Sequence, residues 1–149
     1  MTDEPVDRSD EPAGEVYASF GTKALGFLID FLPAFILVGV LARLLHVKPR
    51  LELSTLFILW GFYGAVALSR FGGRTLGMRR MGLRCVDETT GERPTLAQSY
   101  LRSFAAAFML AGTLIPFGFV IPLVDLLWAN FDLRGQTLHD KLAKTVVVR

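Results

Sequence analysis

Between Ala24 and Leu45 the chain reads ALGFLIDFLPAFILVGVLARLL. Its 22 residues hold two charges, Asp30 and, close to the end, Arg43. At 1.5 Å per residue a helix of this length spans roughly 33 Å, enough to cross the hydrocarbon of a bilayer. A soluble helix would carry polar residues on one face, and this stretch has no polar face. The stretch therefore reads as a transmembrane helix. Pro33 within it marks a kink or local irregularity of the kind that membrane helices tolerate.

Two further apolar stretches lie downstream. Leu53–Leu68 carries no charge and includes Trp60, Phe62 and Tyr63; it is short for a span, and its flanks can extend it. Tyr100–Phe131 runs for 32 residues with Pro116-Phe117-Gly118 near its middle. A straight helix of that length would reach about 48 Å and overshoot the bilayer, so two short helices or a re-entrant hairpin bent at Pro116 are expected. The fold predicted is an all-α integral membrane protein with about four short transmembrane helices. They fall near residues 24–45, 53–68, 100–115 and 117–131, the last two forming a Pro-bent hairpin.

The remaining segments are polar. Residues 1–17 hold Asp3, Glu4, Asp7, Asp10, Glu11 and Glu15 against Arg8, and are expected to form a disordered acidic tail. A transmembrane domain would then occupy residues 18–149. The loop 69–99 opens on Gly72-Gly73; within it residues 74–81 suggest a short interfacial helix, and residues 82–87 alternate like a strand before a turn at 88–91. The segment 132–149 ends in the β-branched run Thr145–Val148, a second strand candidate.

The distribution of basic residues sets the orientation. With the N-terminus inside, 13 of the 16 lysines and arginines lie on the cytoplasmic side, and only Arg43, Lys48 and Arg50 face out. Both strand candidates then share the cytoplasm, where they could pair as a small β element, and both termini lie inside. The expected location is the inner membrane of a bacterial cell.

A few residues could carry chemistry. Asp30 lies roughly 9 Å inside the first span, and Asp125 at a similar depth in the last. A carboxylate in hydrocarbon needs a partner, a cavity or a proton. If the two share a cavity they form a candidate ion and proton site, since their repulsion is relieved by a proton or a monovalent cation. The alternative is structural: Asp30 pairs with Lys23 or Arg102 and locks two helices. Small and polar residues, Lys23, Gly26, Asp30 and Pro33-Ala34, line one face of the first helix, and Gly118, Pro122, Asp125 and Ala129 repeat the pattern in the last. His139 reads either as a proton acceptor or as part of a structural His-Asp corner.

Arg79, Arg80 and Arg84 could meet anionic lipid headgroups, although a basic loop is first an orientation signal. One cysteine, Cys85, leaves no partner for an internal disulfide. His46 and His139 are far apart in sequence, so no metal site is expected. No cofactor motif and no nucleophile–base pairing is visible, so neither enzyme activity nor nucleic-acid binding is expected. Four short helices enclose little space, so a homo-oligomer or a membrane partner protein is expected.

Four runs together resemble the RDD family of bacterial membrane proteins. They are residues 23–30 (KALGFLID), 73–77 (GRTLG), 82–87 (GLRCVD) and 135–148 (GQTLHDKLAKTVVV). The resemblance covers roughly residues 17 to 149. The family is named for one arginine and two aspartates; the aspartates match Asp30 and Asp140. The arginine position holds Lys23, which keeps the charge and loses the planar fork of donors. What the resemblance implies is transport of a small ligand, with antiporter-like exchange of cations for protons in some members. On that reading Asp30 and Asp125 hold the ion while Lys23 and Asp140 balance charge at the cytoplasmic mouth. The other class is a non-catalytic membrane partner or assembly factor, docking a protein or anionic lipid through the basic loop.

Overall fold

The computed structural model describes residues 16–149. The acidic tail expected at residues 1–15 lies outside them. Its far boundary needs a correction, because Val16 and Tyr17 pair with Arg149 and Val148. The Ala18 amide donates to the Val147 carbonyl at 3.0 Å, and the Arg149 amide to Val16 at 3.0 Å.

The protein is mostly helical. In chain order it has α1 (Phe20–Leu44), α2 (Pro49–Arg70), α3 (Leu76–Arg80), β1 (Arg84–Asp87), α4 (Leu96–Ala111), a 3-10 turn (Gly112–Leu114), α5 (Val120–Trp128), α6 (Leu138–Leu142) and β2 (Thr145–Val148). Among the described residues two helices, α1 and α2, are long and apolar enough to cross a membrane. Their large apolar side chains point outwards: Leu25, Leu28, Leu32, Ile36 and Leu37 on α1 are each more than half exposed. A continuous apolar surface of this extent needs lipid or protein to cover it.

The starts of α1 and α4 differ from the hydropathy reading because polar caps, not apolar runs, begin them. Ser19 caps α1 by accepting from the Thr22 amide, so the helix starts four residues before the apolar run. Thr95 and Gln98 form a reciprocal capping box, which begins α4 at Leu96. The helix α1 continues through Pro33. Pro33 itself is exposed, while Lys23, Gly26, Asp30 and Ala34 of the expected stripe are buried or half-buried.

The last apolar block is a hairpin of unequal arms. By length α4 reaches about 24 Å and α5 about 14 Å, so neither matches a full bilayer crossing as α1 does. The reversal is spread over residues 112–119 rather than placed at Pro116 alone: a 3-10 turn leads to Phe117 at φ 62°. Gly118 sits so close to Gly112 that a methyl group there would overlap the Gly112 carbonyl.

The two strands pair antiparallel, Cys85 opposite Val147 and Val86 opposite Val146. Residues 16–18 flank β2 on its other edge through Tyr17 and Val148. Thr145–Val148 is wholly buried, and Val147 packs with Leu83 and Ala18 against Met78 and Met81. Gly73 approaches the Cys85 carbonyl where no side chain would fit, at a φ of 76° that glycine tolerates. Cys85 is fully buried, and burial pushes its thiol up. A maleimide should therefore label it only after denaturation. Rapid labelling of the folded protein would contradict this packing.

Candidate functional site

The helices α1, α2, α4, α5 and α6 enclose a cavity of about 160 Å³. Every residue singled out as an ion-site, motif or supporting residue lines it: Lys23, Asp30, Arg102, Asp125, His139 and Asp140. They fall into two hydrogen-bonded groups within one space.

Asp140 anchors the first group and has the most buried carboxyl of the set. Arg102 Nε donates to its Oδ1 at 2.7 Å, and Lys23 Nζ lies 3.7 Å from Oδ2. Lys23 also donates to the Gly135 carbonyl at 2.6 Å. The sequence places Asp140 here because Thr137 and Asp140 cap α6 reciprocally, which fixes the carboxyl at the head of the helix. Burial by itself would raise the Asp140 carboxyl, but the charges of Arg102 and Lys23, with the Thr137 amide it accepts from, overcome it and hold the group well below the usual carboxylate range.

Asp125 forms the second contact of the α6 corner. Its Oδ1 accepts from the His139 amide at 3.0 Å and its Oδ2 lies 2.7 Å from His139 Nδ1. The other ring nitrogen of His139 is 3.8 Å from Asp140 Oδ1. His139 therefore stands between two carboxylates, one gripped and one in longer-range contact. On α5 Asp125 is buried and Pro122 half-buried, and Gly118 before the helix and Ala129 just after it are buried as well.

Asp30 makes a separate group. Its Oδ1 accepts from the Tyr63 hydroxyl at 2.8 Å and from the Gly77 amide at 2.7 Å. Tyr63 in turn accepts from the Leu76 amide at 3.0 Å. The expected alternative of an Asp30 pair with Lys23 or Arg102 is corrected: both cations are held by Asp140. The reason is helical rise. Lys23 lies two turns before Asp30 on the same face, about 10 Å along the axis, and turns towards the C-terminal segment instead.

Gly77 is what lets α3 reach Asp30. A methyl group on it would overlap the Gly26 carbonyl of α1 and press on Asp30 Oδ2. Gly77→Ala should wedge the helices apart and remove a hydrogen bond from Asp30, costing about 3 kcal/mol, the upper end of core overpacking. A lowered melting temperature in detergent would register it; an unchanged one would refute the contact.

Hydropathy reasoning passed over Tyr63, Ser103 and Trp60. Tyr63 was legible in principle, since a phenol inside an apolar span needs a hydrogen-bond partner. Ser103, next to Arg102, was a polar residue in an apolar run. Among the basic-loop residues, Arg79 and Arg80 are exposed at the end of α3, while Arg84 is half-buried in β1 opposite Val148.

A family model described as the RDD family matches residues 17–144. No curated protein and no solved structure gives a match to this chain.

Proposed function

The chain belongs to the RDD family, and from that premise we propose that it exchanges a monovalent cation for a proton through its central cavity. The observation that carries this reading is a charge imbalance. Two fixed cations, Lys23 and Arg102, face three carboxylates, Asp30, Asp125 and Asp140, in one enclosed space. With His139 neutral, one negative charge is left over.

In a low-dielectric cavity that excess is balanced by one proton or one monovalent cation. Competition between the two is the elementary step of exchange. Lys23 and Arg102 are occupied by Asp140, so the exchangeable charge falls on Asp30 and Asp125, as partners of neutral donors and of a titratable histidine. His139, reaching towards both aspartates of its corner, is the natural carrier of the proton.

The proposed topology follows from what lies at one end of the bundle. Lys23 meets Gly135, Asp30 meets Gly77, and Asp125 meets His139. The start of α1, the loop after α2, the base of the α4–α5 hairpin and the C-terminal segment are therefore together. This end gathers the basic residues from Arg70 to Arg102, which supports its assignment as the cytoplasmic end. Both described termini and the sheet lie there. The hairpin tip is uncharged and exposes Ile115, Phe117 and Phe119, as suits a re-entrant element that ends within lipid.

The test is flux in proteoliposomes of known incorporation, with a pH-sensitive dye inside. Sodium, lithium, potassium or a small alkylammonium salt is added outside. Exchange makes the interior alkaline as the cation enters and the proton leaves. No pH change from folded, inserted protein with any of these cations would overturn the reading.

A second reading, docking to anionic lipid, is favoured by one feature. Phe71 and Leu76, each 67% exposed, flank the exposed Arg74, with Arg79 and Arg80 following on α3. Apolar insertion beside basic side chains is the chemistry of interfacial helices. Binding that rises with the anionic lipid content of vesicles would support it.

A further inference from the structure

The wall of the cavity beside Asp30 differs in kind from the α6 corner. Phe27 and Trp60 line it with ring centroids 5.5 Å apart and nearly perpendicular planes, and Tyr63 follows at 5.7 Å from Trp60. Met78 and Met109 also line the cavity, whose other oxygen-bearing side chains include Thr75 and Ser103. An inorganic cation stripped of water needs a shell of several oxygen ligands. Aromatic rings and thioethers do not provide one.

Two polar atoms remain without an assigned role. Asp30 takes both of its hydrogen bonds on Oδ1, which leaves Oδ2 as an acceptor. Ser103 also lines the cavity; the residue is 5% exposed, and its hydroxyl oxygen has no hydrogen-bond partner among the described residues. A buried polar atom left unpaired is destabilising, so such an atom calls for a guest. The cavity volume of about 160 Å³ matches apolar cavities that accept a benzene-sized molecule, about 150 Å³.

We propose that the exchanged cation is a small alkylammonium ion, held by Asp30 and Ser103 and packed against Phe27 and Trp60. Its ammonium group carries the positive charge that the cavity lacks. Its N–H groups donate to Asp30 Oδ2 and the Ser103 hydroxyl. Its methylene groups cover the aromatic faces, which attract a cation through their quadrupoles. The coupling of this ligand to a proton rests on the exchange reading; the ligand class rests on the cavity lining.

Calorimetric titration of the full chain in detergent, with ethylammonium chloride and separately with sodium chloride, tests it. Ethylammonium should bind at least about tenfold more tightly than sodium, and Trp60→Leu and Ser103→Ala should each weaken ethylammonium about tenfold. Ser103→Ala is the safeguard, since it removes one oxygen and keeps the Cβ that faces Gly64 of α2. Sodium binding as tightly as ethylammonium would overturn the proposal, as would ethylammonium binding indifferent to both substitutions, or no ethylammonium binding at all. Ethylammonium binding without flux in vesicles would leave the ligand class standing and remove the exchange reading. Sodium-driven flux without ethylammonium binding would do the reverse.

Discussion

Asp140→Asn should cost about 3–5 kcal/mol of stability, the usual penalty when one partner of a buried ion pair is removed. The substitution is chosen because asparagine keeps an oxygen to accept from the Thr137 amide, so the α6 cap survives. What is lost is charge. Arg102 and Lys23, with side chains only 12% exposed, would be left without a compensating carboxylate. Arg102→Gln in the same chain should recover part of the loss, because it removes the stranded guanidinium. Thermal unfolding in detergent, followed by size-exclusion chromatography, reads both variants. An Asp140→Asn protein as stable as the parent would show that the pair is not a structural anchor.

The same pair has a defined pH dependence. Asp140 is held well below the usual carboxylate range in the folded protein, while an unfolded aspartate titrates near about 3.9. Its contribution is therefore complete above that unfolded value. It is lost only as pH falls towards the depressed folded value. Mild acid should leave this anchor intact.

Asp30→Asn should reduce cation-driven proton flux to the level of protein-free vesicles while leaving the fold in place. The geometry makes this substitution informative. Both hydrogen bonds to Asp30 end on Oδ1, from the Tyr63 hydroxyl and the Gly77 amide. An asparagine amide oxygen can accept the same two. The exchangeable negative charge disappears and the contact between α1, α2 and α3 remains. Flux undiminished in Asp30→Asn, at equal incorporation, would remove Asp30 from the mechanism. Loss of folded protein in the variant would instead identify Asp30 as a helix lock.

Much of this arrangement was legible in the sequence because charges in apolar runs stand out. Asp30 and Asp125 were visible as carboxylates within hydrophobic stretches, and residues 145–148 were visible as a β-branched strand. The ends of helices were less visible. Ser19 and Thr95 begin α1 and α4 through hydrogen bonds that a hydropathy window averages away.

Partnerships were the least legible. The distance from Lys23 to Asp30 along one helix is fixed by sequence, but the choice of Asp140 as partner depends on how the C-terminal segment folds back. That fold-back is set by the Thr137–Asp140 cap and by β2 pairing with β1. No local pattern around Lys23 carries that information. The role of Gly77 was hidden for the same reason, since only the approach of α3 to α1 turns a loop glycine into a donor for Asp30.

The cavity is held here to carry one negative charge that a proton or a cation neutralises in turn. Proton release on cation binding measures that directly. Purified protein in weakly buffered detergent solution is titrated with ethylammonium or sodium across a range of pH, and the protons released per cation bound are counted. Competition for one charge predicts a ratio that approaches one as the pH is lowered, and no release in Asp30→Asn. Cation binding without proton release at any pH would contradict it.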